Sequence, residues 1–314
     1  MQLQTNIPFS KQSNNLIDYH SNILLLGSCF SDNIGKKLDY FKFKNLQNPF
    51  GILFQPKAIE ALITNSVEKK QYSEKDIFFY NEQWHGFDAH SKLSSNSKDV
   101  LLHKLNEQSI LTNKEIVAAT HIIITLGTAW VYRFIENNRI VANCHKVPQN
   151  QFSKELLSVD EVVKSLTSII NAIKSINSNA TIIFTVSPVR HIKDGFVENT
   201  RSKAHLISAI HQVINNQFFY FPSYELMMDE LRDYRFYAED MIHPNQIAIN
   251  YIWEKFQNVW ISQEASKTMD DVDYIQKGLL HKPFNSNSEA HQLFLKKIEE
   301  KQQKLKLKLP YIRF

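Results

Sequence analysis

The chain has 314 residues, 43% of them apolar and 22% charged, with a formal net charge of +4. This composition excludes disordered, collagen-like and coiled-coil classes, and the length fits one large domain or one domain with an appendage. The charge is local: Lys296 to Arg313 holds seven basic residues against Glu299 and Glu300, so the rest of the chain is close to neutral, which argues against nucleic acid as a partner.

No run approaches the ~20 apolar residues of a membrane span. Met1 to Ser10 (MQLQTNIPFS) lacks the charged start and apolar stretch of a signal peptide, so a cytoplasmic protein without a membrane span is expected. Cys29 and Cys144 are the two cysteines, too few for a disulfide framework or an all-cysteine metal site.

In chain order, four short apolar runs read as strands buried on both faces, as in a parallel sheet covered by helices. They are Asn22 to Leu26 (NILLL), His121 to Leu126 (HIIITL), Ala180 to Val186 (ATIIFTV) and Gln217 to Phe221 (QFFYF). Helical spacing marks Lys36 to Tyr40, Gln55 to Lys69, Val159 to Asn177, Asn199 to Ile214 and Gln246 to Trp260. Two hairpin insertions are expected, Ile77 to Tyr80 with Trp84 to Phe87, and Val131 to Ile135 with Ile140 to Asn143. After Trp260 the chain turns polar and helical, which places a domain at 1–262 and a basic helical appendage at 263–314. Within the appendage, Lys304 to Leu309 (KLKLKL) reads as an edge strand or an amphipathic tail. It could pack on the body, join two copies as a homo-oligomer or touch an acidic surface; a membrane is the least favoured partner.

The first strand runs into Gly27-Ser28-Cys29, followed by a helix. The carboxyl ends of parallel strands, next to helix amino ends, are where α/β proteins bind ligands, and a thiol held there is expected to have a lowered pKa. A buried core cysteine and a capping Ser28 are the plain alternatives. Before the last body helix stands Asp240-Met241-Ile242-His243-Pro244, where the Asp can fold back to orient the imidazole of an acyl-transfer site.

Together these features resemble the SGNH or GDSL hydrolase superfamily. More closely, LLLGSCFSDNIG (24–35), QNPFGILFQP (47–56), LGTAWVYR (126–133), NCHKVP (143–148), TVSPVRHIKDGFVENTRSKAHL (185–206) and DMIHPN (240–245) look like the GSCFA domain family, over about residues 20 to 255. The resemblance implies a three-layer α/β/α sandwich with a mostly parallel sheet. It also places Cys29 at the nucleophile's position and Ser28 at that of the Asp in Gly-Asp-Ser, with Ser28 kept as the alternative nucleophile. The superfamily's oxyanion-hole Asn is replaced by alanine in Gly127-Thr128-Ala129. The Cys29 amide, the Gly51 amide and the Asn48 side chain are the candidate substitutes.

Other polar clusters carry open alternatives. Asn143 or His145 could line the pocket or fix a loop. Arg190 could bind a substrate carboxylate or phosphate or hold a loop through an ion pair. Ser202 and Lys203 read as a helix cap and a solvated charge, and Trp84, His85 and His90 as a lid, a sugar-stacking edge or a surface hairpin. A metal shared by Cys144 and His145 is disfavoured, because neighbours on an extended segment point apart.

The expected function is acyl transfer through a Cys/Ser-His-Asp site: Cys29 or Ser28 attacks, His243 serves as base and then acid, and Asp240 orients it. Gly127, Thr128, Asn143, His145 and Arg190 are expected around a small-molecule or carbohydrate ester. No metal or redox cofactor is expected; acyl-CoA enters only as donor if the enzyme is an O-acyltransferase rather than an esterase or deacetylase. The rival is a catalytically silent carbohydrate- or partner-binding module.

Overall fold

The computed structural model describes residues 5–314; the first four residues of the Met1 to Ser10 stretch lie outside them. Five strands form one parallel sheet: β1 (Asn22–Gly27), β2 (Lys44–Gln47), β5 (His121–Leu126), β9 (Thr181–Val186) and β10 (Phe218–Phe221), in the order β10-β9-β5-β1-β2. The unalternating sequence of the inner strands follows from burial on both faces. Leu24, Leu26, Ile122, Ile124, Ile182 and Phe184 point to one core, while Ile23, Leu25, Ile123 and Ile183 point to the other, the two-residue period of a strand.

Helices α2 (Pro56–Val67), α3 (Lys98–Ala118), α4 (Val159–Ile176) and α5 (Phe196–Val213) cover the first face, and α1 (Cys29–Tyr40) and α7 (Gln246–Trp260) the second. The expected α/β/α sandwich is the fold observed. Helix α4 shows how the sequence builds this layer. Ser158 and Glu161 form a reciprocal capping box, and Val162, Leu166, Ile169, Ile170 and Ile173 make its buried stripe. A short turn, α6 (Ser223–Glu225), runs into a π-helical stretch, Leu226–Glu230.

Two small antiparallel insertions sit beside the sheet. One is the hairpin β3 (Ile77–Tyr80) and β4 (Gln83–Gly86), turning through Asn81 and Glu82 at positive φ. The other has three strands, β6 (Trp130–Phe134), β7 (Arg139–Val141) and β8 (Phe152–Leu156), in the order β7-β6-β8, one strand more than the hairpin expected.

Helices α8 (Gln263–Leu280) and α9 (Glu289–Lys308) follow the body. KLKLKL belongs to α9 up to Lys308 rather than to an edge strand, and it is an amphipathic segment packed on the body: Leu305 and Leu309 are buried with Val272 and Ile275 of α8 in the second core, while Leu307 faces solvent. Among the described residues no helix is long and apolar enough to cross a membrane.

The strand-to-helix junction is set by Gly27. Its φ of +130° lies in a region that side chains avoid, and a Cβ would stand 2.1 Å from the Thr125 carbonyl oxygen on the neighbouring strand. Gly27→Ala should therefore cost roughly 3 kcal/mol or more, measured as a lowered urea midpoint. A variant melting like the wild type would show that the junction tolerates a side chain.

Candidate active site

The chain leaves β1 for β2 on one side and returns to β5 on the other, so the carboxyl ends of β1 and β5 flank the switch point where open α/β sheets bind ligands. Ser28 and Cys29 stand on that edge. The Ser28 amide donates to Thr125 O at 3.0 Å, and its buried hydroxyl accepts from the Phe30 amide at 3.2 Å as the N-cap of α1. Cys29 is the first residue of α1 and is partly buried.

Its thiol is not activated in the way a helix amino end suggests. Burial pushes the pKa up and the Asp32 carboxylate pushes it further, against smaller downward pulls from the Cys29 amide, the Lys203 charge and the Phe30 amide. Desolvation disfavours the thiolate more than the helix end favours it.

The loop after β2 is tightly wired. Asn48 Oδ1 accepts from the Gly27 amide at 2.8 Å, and Asn48 Nδ2 donates to Asp32 Oδ1 at 2.6 Å. The Gly51 amide donates to Asn48 O at 2.7 Å, so it is spent within its own turn and is not free for an oxyanion. After β5, the Gly127 amide likewise donates to Phe54 O at 2.6 Å. Thr128 Oγ1 and Ser202 Oγ lie 2.9 Å apart, and Ser202 Oγ accepts from the Ala129 amide at 2.7 Å. Ser202 is thus a buried brace between α5 and this loop rather than a cap.

Asp240 and His243 pair as their spacing predicts. The Asp240 Oδ1 accepts from the amides of Ile242 at 2.9 Å and His243 at 3.0 Å, and Oδ2 lies 2.6 Å from His243 Nδ1. The backbone and side-chain hydrogen bonds from His243, then the Ile242 amide, hold the carboxyl pKa down at about 2. Both side chains are about half exposed, 47% for His243 and 46% for Asp240. This loop is joined to the one after β9 by the bond from the Arg190 amide to Ile242 O, 3.1 Å, and the charge of His243 is felt at His191.

Two expected contacts are arranged differently. The Arg190 guanidinium donates through Nε to Tyr237 Oη at 3.0 Å and lies 4.1 Å from that ring's centroid and 5.2 Å from that of Tyr234. It is held by tyrosines and has no carboxylate in an ion pair among the described residues. His145 is buried in an aromatic cluster with Phe78, His85 and Phe87, and its Nε2 lies 2.8 Å from Gly86 O. The neighbouring Asn143 does face the cavity, as do Thr128, Trp130, Cys144 and His191, around about 300 Å³. Burial raises the Cys144 thiol to about 11, against a smaller downward pull from the Lys193 charge.

Two residues were not anticipated at the site. Lys203 is 1% exposed, and its ammonium nitrogen donates to Ser187 O at 2.7 Å. Its position on α5, in the buried series Asn199, Ser202, Lys203, Leu206, Ala209, Ile210, is the signal in the sequence. His191 approaches the strand-β5 loop so closely that a Cβ on Gly127 would stand 2.9 Å from its Nε2, an atom buried without a hydrogen-bond partner.

Burial holds both His191 and His145 neutral, with pKa values lowered to about 3 and about 4. Their unfolded values lie near 6.5, so below that pH the unfolded chain binds more protons and stability falls as the pH drops toward those lower values. The urea midpoint should decline steadily from pH 7 to pH 4.5, and His145→Phe should flatten part of that slope. An unchanged slope in the variant would remove His145 from the account.

Among solved structures similar to this chain are an acetyl esterase mutant with acetate ion (10% identity, TM-score 0.38, covering 80% of this chain and 99% of that one) and a carbohydrate esterase family 3 protein from Talaromyces cellulolyticus (9%, 0.36, 81% and 98%). A third is an acetyl xylan esterase from the rumen bacterium Butyrivibrio proteoclasticus (10%, 0.37, 88% and 66%). A search of curated proteins gives no match. Family models are matched in two places, the GSCFA family over residues 22–256 and the GSCFA domain protein, C-terminal domain, over residues 272–314. The chain belongs to the GSCFA family.

Proposed function

We propose that this protein is an acyl-transfer enzyme acting on a small-molecule or carbohydrate ester, with Cys29 as nucleophile. The observation that carries the reading is the Asp240–His243 couple, 2.6 Å between Oδ2 and Nδ1, on a loop hydrogen-bonded to the one after β9 at the ligand-binding edge of the sheet. The bond to Asp240 fixes the tautomer with the proton on Nδ1 and leaves Nε2 as the working nitrogen. Ser28 is the weaker nucleophile because its oxygen is buried and engaged as the α1 cap.

In this reading the Cys29 sulfur adds to the ester carbonyl, and the oxyanion forms beside the Cys29 amide at the positive end of α1. His243 Nε2 takes up the thiol proton as the sulfur attacks and gives it to the departing alkoxide. It then takes one from the acceptor, water in an esterase or deacetylase and a hydroxyl in an O-acyltransferase with an acyl-CoA donor, as that acceptor attacks the thioester. Asn48 acts through position, holding Asp32 and the Gly27 amide, and the cavity beside Thr128, Asn143 and His191 receives the rest of the substrate. No metal or redox group is required for this chemistry.

A second reading, a silent carbohydrate- or partner-binding module, is favoured by one set of observations: the amides of Gly51 and Gly127 are already bonded, and the thiol pKa is raised. Hydrolysis of 4-nitrophenyl acetate separates the two. Acyl transfer predicts loss of activity to background in Cys29→Ala, a fall of ~100-fold or more in His243→Ala, and substantial activity in Ser28→Ala if that variant folds. Wild-type turnover no faster than that of Cys29→Ala on short-chain aryl esters would favour the binding module.

A further inference from the structure

We infer that the cavity between the loops after β2, β5 and β9 holds the alcohol part of the ester, as one neutral, hydroxyl-bearing ring of sugar size gripped by Gln55, and does not hold the acyl chain. The inference rests on the proposed reading of this cavity as the seat of the substrate and deepens it, by naming what sits there and the group that selects it.

Gln55 carries the argument. It is 4% exposed and stands at the N-cap position of α2, yet its side chain makes no capping bond. Its Nε2 donates to Val141 O at a long 3.5 Å, and the opposite orientation of the amide would set two oxygens against each other. The Oε1 is left buried without a partner, on a residue that lines the cavity of about 300 Å³. An unpaired buried acceptor is costly and uncommon in native structures, and a donor brought into the cavity removes that cost.

Two further groups on the same wall are open. The Nε2 of His191 is also buried and unpartnered. Its ring is fixed beside that of Phe54, 5.2 Å between centroids, and its amide donates to Asn199 Oδ1 at 2.8 Å. Asn143 Oδ1 accepts from the His145 amide at 2.8 Å, and among the described residues Asn143 Nδ2 has no acceptor, so this side chain offers a donor.

The three groups define the occupant. Gln55 Oε1 takes only a donor and Asn143 Nδ2 gives only to an acceptor, while neutral His191 does one or the other according to its tautomer. A hydroxyl both donates and accepts, so neighbouring hydroxyls on a ring satisfy a mixed wall of this kind. An aliphatic acyl chain would leave all three unpaired, and a carboxylate or phosphate would bring oxygen against the Gln55 oxygen. The charges on the wall agree. Lys154 is paired with Asp194, its nitrogen 5.0 Å from the centroid of the Trp130 ring, and Lys193 is exposed. Between the polar groups lie Phe54, Trp130, Tyr132 and Val141, apolar surface that suits the C–H faces of a ring. The volume is at the low end for ligand pockets, which span about 300–1,000 Å³, and so fits a single ring.

The test is binding, measured on the full chain by isothermal titration and saturation-transfer NMR. The probes are methyl β-D-glucopyranoside and methyl β-D-xylopyranoside, set against cyclohexanol, a ring with one hydroxyl, and hexanoate, an acyl chain. At least one glycoside should bind saturably in the millimolar range and ~10-fold or more tightly than cyclohexanol or hexanoate. Gln55→Met and His191→Phe should each weaken the glycoside roughly 10-fold, about the worth of one hydrogen bond, and leave cyclohexanol unchanged, a split that a purely structural role would not produce. Absence of saturable binding by both glycosides, equal binding of hexanoate or cyclohexanol, or glycoside binding unchanged in both folded variants would each overturn the inference.

If Gln55→Met fails to fold, the Gln55 side-chain amide resonance of the wild type decides: it should shift on addition of the bound glycoside, and a resonance that stays in place overturns the proposal. Binding needs no ester turnover. Glycoside binding by a protein inert towards 4-nitrophenyl acetate would therefore sink the acyl-transfer reading alone. Cys29-dependent turnover without glycoside binding, or hydrolysis of 4-nitrophenyl hexanoate that improves in Gln55→Met, would sink this inference alone.

Discussion

The close approach of Gly27 to the Thr125 carbonyl is the contact on which the site depends. The Ser28 amide bonds to that same carbonyl oxygen, so β1 stops and α1 starts within two residues. Only a residue without a Cβ allows both the +130° φ and the backbone contact. The turn puts Ser28 in the capping position and Cys29 at the first helical position, partly open to the edge of the sheet. The Asn48 side chain then locks the junction from β2 by accepting from Gly27 and donating to Asp32.

The same edge is braced from the other side by hydroxyls. Ser31 Oγ bonds to Thr125 Oγ1 and Leu26 O, and Thr185 Oγ1 pairs with Ser223 Oγ. Ser202 ties α5 to the loop after β5. Each of these buried polar groups has a partner, as a low-dielectric interior requires. The buried Nε2 of His191 does not, and Lys203 has a single acceptor for its amine. The least satisfied nitrogens in this part of the protein lie where ligand chemistry is proposed.

Much of the fold was legible because the inner strands are buried on both faces and therefore read as continuous apolar runs. Strand β2 was not, since Lys44–Gln47 is a polar segment at the sheet edge. Helix α3 was hidden because its buried series, Leu101, Leu105, Ser109, Thr112, Ile116, replaces two apolar positions with hydroxyls. The alternation in KLKLKL imitates a strand, but a helix built on Ile298 and Leu305 buries only one side of it. At the site, the Asp240–His243 pairing was readable because the contact is local in sequence. The tyrosine clamp on Arg190 and the burial of His145 depend on contacts between distant segments, which spacing does not encode. Lys203 was readable in principle, as a charged residue occupying a core position of an amphipathic helix.

The exposure of the Asp240–His243 couple has an experimental consequence. A contact this open to solvent contributes little to folding, and the loop is also held by backbone bonds from Arg190 to Ile242 and from Ala238 to His243. Replacing either side chain thus leaves the scaffold intact and changes the proton inventory of the edge, whereas a change at Gly27 disturbs the turn that carries Cys29 itself. The two exposed side chains are a point at which chemistry can be dissected separately from folding.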